Sequence, residues 1–184
     1  MESSKKNANT IGFLTVRKHE LQGYVGGLLV LNELARPLEF HCTLPIQTTR
    51  SQQILYGPTL DGFVAGEQIA RTLMLKPRSQ PVIYFTDTLA ALSSRHVDPQ
   101  LIAAVEGAWS GASSALPYPK AEGCDIPSIA VGGYRFMVMP NYEKDLEAIA
   151  RIVEPLLGAS IDLIEPFSRI EEALMEAHPA TRAA

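Results

Sequence analysis

Residues 11–44 read IGFLTVRKHELQGYVGGLLVLNELARPLEFHCTL, and the fold turns on how this stretch divides. Gly12 to Arg17 is rich in β-branched and aromatic residues and reads as a strand. Gly23 to Leu31 is apolar at consecutive positions, which places it inside a sheet covered on both faces. Leu38, Phe40, Cys42 and Leu44 then alternate with Glu39, His41 and Thr43, the period-2 pattern of a half-buried strand with one polar face. The links between these segments are too short for parallel crossovers, so the three strands form an antiparallel meander.

Beyond Pro45 the period changes. Thr49 and Gln52 stand at capping-box spacing, predicting a short helix to Tyr56 that Gly57-Pro58 stops. A longer helix is expected from Thr59, with Leu60, Phe63, Val64, Ala70, Leu73 and Met74 on one stripe. Pro81 to Phe85 reads as a buried strand that delivers Thr86 and Asp87 at its end. Asp98-Pro99 has the form of a helix start running to Ala108. Ile129 to Met139 reads as one strand, followed by a helix capped by Asn141 and a last helix opening at Glu165-Pro166.

The expected fold class is therefore α+β: an N-terminal antiparallel β-meander, a mixed sheet of about five strands with helices packed on it, and a C-terminal helix pair. The expected organisation is a tail at 1–10, a main domain at 11–109, a linker-like loop at 110–127 and a strand-helix-helix unit at 128–184 on the same core. Val25-Gly26-Gly27 and Val131-Gly132-Gly133 echo each other, but glycine in strands has an ordinary reading as a bulge or close approach.

The chain has 184 residues, 46% of them hydrophobic and 20% charged, which excludes collagen, a disulfide scaffold and disorder throughout. Sixteen Lys and Arg against twenty Asp and Glu leave a net charge of −4 with no concentrated basic face, so general nucleic-acid binding is not expected. Cys42 and Cys124 are the two cysteines, and neither has a CxxC partner; both are read as reduced, Cys42 in the core. The longest apolar run, Tyr24 to Leu31, is too short for a membrane span, and Ile11 to Val16 is too short for a signal-peptide core. A cytoplasmic location follows as the expectation.

Chemistry has few places to sit. Glu39, His41 and Thr43 share one strand face, where a carboxylate two residues from an imidazole can orient it as a general base. Asp87, between Thr86 and Thr88, stands at a strand end, where α/β units bind ligands. Thr49 with Arg50 at a helix start, and the pair Arg95-His96, are candidate ligand contacts. His41 and Cys42 point to opposite faces, and neither HxxxH nor HExxH occurs, so no metal is expected; no cofactor motif is present either. Phe167, Ile170 and Leu174 form a helix stripe that could serve as an interface.

Without a nucleophile elbow or phosphate loop, the leading expectation is a non-catalytic cytoplasmic module that binds a protein partner or small ligand and self-associates. The alternative is a small hydrolase- or isomerase-like enzyme with His41 as base, Glu39 orienting it and Asp87 binding substrate or metal.

Overall fold

The computed structural model describes residues 10–107, 126–159 and 161–178. The meander is present as β1 (Ile11–His19), β2 (Gly23–Leu31) and β3 (Pro37–Cys42). Four more strands follow: β4 (Ile83–Thr86), β5 (Ile102–Gly107), β6 (Ser128–Val131) and β7 (Tyr134–Met137). Among the described residues they build one mixed sheet of seven strands in the order β3-β2-β1-β4-β5-β7-β6, two more than the sequence reading counts. β4 runs parallel to β1 and β5 parallel to β4, while the remaining pairs are antiparallel.

Both faces are covered, as the two-sided apolar content of β2 requires. Tyr24, Leu28 and Val30 belong to one core with the π-helical run Gly62–Ala70, its continuation into the single turn Arg71–Met74, and the 3₁₀ helix Leu89–His96. Val25, Leu29 and Leu31 face the helices Asp145–Gly158 and Glu165–Ala177. The short helix Arg50–Tyr56 is α1, the turn Arg71–Met74 is α2, and the two C-terminal helices are α3 and α4. Gly26 and Gly27 let the layers close on β2 from opposite sides. A Cβ at Gly26 would stand 2.3 Å from Ile69 Cγ2, and one at Gly27 would stand 2.5 Å from Ile170 Cγ2.

Three local expectations are corrected. Residues 98–107 are not helical: Asp98 accepts from the Gln100 amide at 2.9 Å in a turn, and Ile102 to Val105 is buried as β5 beside β4. Parallel pairing in a two-faced sheet overrides the helix preference of its alanines. The strand expected over 129–139 is a hairpin, because Gly132 and Gly133 both take positive φ, 57° and 84°, the two-residue turn that matches strand twist. Asn141, at φ 73°, lies outside the helix it was expected to cap, and α3 starts at Asp145.

β3 inverts its expected burial. Glu39 and His41 are the covered side, whereas Leu38 is 49% and Phe40 39% exposed, and Cys42 is exposed rather than in the core. β3 is the outermost strand, and α4 packs mainly on β1 and β2. The tail at 1–10, except Thr10, and the linker-like stretch at 110–127, except its last two residues, lie outside the described residues, as does Cys124. Among the described residues no helix is long and apolar enough to cross a membrane.

Candidate active site

Glu39 and His41 stand opposite Val30 and Leu28 on β2, so both side chains rise on the sheet face that carries the π-helical run. His41 Nε2 lies 3.0 Å from Glu39 Oε2. The loop that enters β4 folds over the pair: the Ser79 amide donates to Glu39 Oε1 at 2.9 Å, the Ser79 hydroxyl donates to the same oxygen at 2.5 Å, and the Arg78 amide donates to Oε2 at 3.1 Å. Thr10 holds that loop in turn, donating its hydroxyl to the Ser79 carbonyl at 3.1 Å.

These contacts fix the charge state. Partial desolvation pushes the Glu39 carboxyl upward, but the Ser79 hydroxyl, the amides of Ser79 and Arg78 and the His41 ring outweigh it and bring the carboxyl down to about 2. An ionised carboxylate only accepts hydrogen bonds, so neutral His41 carries its proton on Nε2 and presents the Nδ1 lone pair. The pair opens onto a groove of about 650 Å³ lined by Leu38, Glu39, Phe40, His41, Arg78 and Ser79. Arg78 and Ser79 have no signal in residue spacing; the trace they leave is Pro77 and Pro81, which bracket a short rigid loop ahead of a buried strand.

Asp87 does not join this group. It projects on the opposite face with Thr15 and Arg17, at the carboxyl ends of the parallel strands β1 and β4. The Thr15 hydroxyl donates to Asp87 Oδ1 at 2.6 Å, Arg17 Nη1 donates to the same oxygen at 3.2 Å, and Arg17 Nη2 pairs with Oδ2. Arg17 Nε donates to Glu171 Oε1 on α4 at 2.7 Å. Thr88 continues the ladder with its hydroxyl, accepting from the Val16 amide at 3.0 Å and donating to the Val16 carbonyl at 3.1 Å. β3 and β4 are three strand spacings apart, roughly 14 Å, so a substrate atom at His41 is out of reach of Asp87. Thr43 is likewise committed, its hydroxyl accepting from the Gly26 amide at 3.0 Å.

Among solved structures, the chain shows similarity to an enzyme structure. This is a Ciona intestinalis endonuclease V variant in complex with a 23mer DNA containing an inosine followed by a ribo-adenosine, at 15% identity and a TM-score of 0.36. The match covers 56% of this chain and 48% of that one, so the chain spans about half the length of the endonuclease. No family model and no curated protein matches the sequence. Two expectations are corrected against this finding. The neighbour is a nuclease bound to DNA, so neither the non-catalytic self-associating module nor the exclusion of nucleic acid is carried forward.

The other candidate residues are dispersed. Thr49 forms the expected capping box with Gln52 at the start of α1, and Arg50 beside it is exposed. Arg95 is tied to Asp145 at 2.8 Å and lies over the Tyr142 ring at 4.6 Å, with the His96 ring edge-on to the same tyrosine. These two residues brace the 3₁₀ helix against the approach to α3. Phe167, Ile170 and Leu174 are buried against β1 and β2 of the same chain, so this stripe is core and not an open interface. Among the described residues no group of three or more His, Cys, Asp or Glu side chains could hold a metal ion.

Proposed function

We propose that the chain is a hydrolase acting through acid–base catalysis, with His41 as the general base and Glu39 as the residue that positions it. The observation that carries this reading is the 3.0 Å contact between His41 Nε2 and a firmly ionised Glu39, at the wall of an open groove. It fixes one tautomer, holds the ring and leaves Nδ1 as the acceptor. Asp87 has no part in the reaction.

For an ester held in the groove the step balances as follows. Nδ1 takes a proton from water as the water oxygen bonds to the acyl or phosphoryl centre. The bond to the leaving oxygen then breaks, and that oxygen receives the proton from Nδ1. Water and ester become acid and alcohol, and Glu39 stays ionised throughout. General-base assistance of this kind contributes typically ~10²–10⁴-fold.

The test is hydrolysis of p-nitrophenyl carboxylate and phosphate esters by the full chain and by His41→Ala. A loss of about 10²-fold or more in kcat/KM in the variant, at unchanged thermal stability, is expected. No turnover of any ester by the parent chain, or equal turnover by the variant, overturns the reading.

A further inference from the structure

We infer that the groove beside His41 takes a substrate bearing an oxyanion, a phosphate or a carboxylate, and that the Arg78 guanidinium is the group that binds it. This deepens the hydrolase reading and rests on it for the identity of the site. The groove lining carries two fixed charges, Glu39 and Arg78. The carboxylate is already engaged by two backbone amides, a hydroxyl and an imidazole, spread over both of its oxygens. The Arg78 and Ser79 amides are both spent in that task, so neither can serve an incoming ligand.

Arg78 stands differently. Its side chain is exposed, and among the described residues it makes no ion pair or hydrogen bond, although its own backbone amide is fixed on Glu39. Arg17 and Arg95, by contrast, are occupied, Arg17 by Asp87 and Glu171 and Arg95 by Asp145. A guanidinium offers a planar fork of donors that matches carboxylate and phosphate oxygens two at a time. Its backbone is anchored beside the base, so an oxyanion docked on the fork would sit in the same groove as Nδ1.

The experiment is a titration of the full chain with inorganic phosphate and with acetate, followed by the NMR signals of the His41 ring and the Arg78 side chain. Saturable shifts of both residues by at least one of the two anions are expected. Arg78→Gln should weaken that binding about tenfold or more, as loss of a charge-assisted contact does. Arg78→Lys should recover part of it, and His41→Gln should leave it in place. No saturable shift in the parent chain, or undiminished binding by Arg78→Gln, overturns the inference. The two readings fail separately: anion binding without any hydrolysis sinks only the hydrolase, and His41-dependent hydrolysis of neutral esters without anion binding sinks only the role of Arg78.

Discussion

Arg17 Nε donates to Glu171 Oε1 at 2.7 Å, joining residues 154 positions apart in the chain. The same guanidinium holds Asp87, whose side chain is only 14% exposed, so one arginine neutralises both the carboxylate after β4 and one on α4. Replacing Arg17 with Met should cost about 3 kcal/mol, because Asp87 would keep its hydroxyl partners but lose its counter-charge in a poorly hydrated place. Adding Asp87→Asn should recover much of that loss. Glu171→Gln, at a side chain 36% exposed, should cost under about 1 kcal/mol. Urea unfolding of the four proteins measures all three differences, and equal costs for Arg17→Met and Glu171→Gln would contradict the asymmetry.

Gly26 and Gly27 of β2 lead to a sharper contrast. Gly26→Ala would push a methyl into Ile69 and Leu73, and Gly27→Ala would push one into Ile170 and Leu174. Each is expected to destabilise by about 1–3 kcal/mol through overpacking. Gly158, at the end of α3, has nothing within 4 Å of an added Cβ. Alanine there should be neutral or stabilise by a few tenths of a kcal/mol, up to about 1. Thermal melts of the three variants check the order, and a double Gly26→Ala, Ile69→Ala variant should be less damaged than the sum of its parts.

Legibility followed the range of the forces involved. The meander, the capping box at Thr49 and the last helix at Glu165 were readable because each depends on neighbours within a few residues. β5 was not, since Ile102 to Gly107 is a strand only by virtue of β4 and β7 beside it. The burial of β3 escapes the sequence for a related reason: alternation shows that a strand has two different faces, but not which one the rest of the chain covers. The candidate site was half legible. Period 2 pairs Glu39 with His41, whereas Ser79 reaches them across 40 residues of chain and Asp87 is carried to the far face by the sheet order.

The depressed Glu39 carboxyl has a consequence for acid stability. Its value is lowered from 4.5 to about 2 in the folded protein, so the ionised form is favoured by folding. The stabilisation is therefore complete above the unfolded value and is lost as pH falls from about 4.5 towards 2. Glu39→Gln removes this titration. Urea midpoints measured between pH 6 and about pH 2.5 should converge for the parent and the variant as pH falls. A gap that stays constant over that range would show that Glu39 has an ordinary carboxyl.

Ser79 offers a test of positioning distinct from charge. Ser79→Ala removes the hydroxyl on Glu39 Oε1 and leaves both amides in place, so the carboxylate stays ionised but is held less firmly. Glu39→Gln keeps the shape and removes the charge that selects the Nε2-protonated ring. Nitrogen-15 shifts of the neutral His41 ring should therefore report one tautomer in the parent and in Ser79→Ala, and a mixture in Glu39→Gln. Ester hydrolysis should fall modestly, several-fold, in Ser79→Ala and by about 10²-fold in Glu39→Gln, mainly in kcat and not in KM. If Glu39→Gln keeps the parent's tautomer and rate together, the carboxylate does not position the base. If it keeps the tautomer but loses the rate, the charge acts on the imidazolium that forms during proton transfer and not on the resting ring.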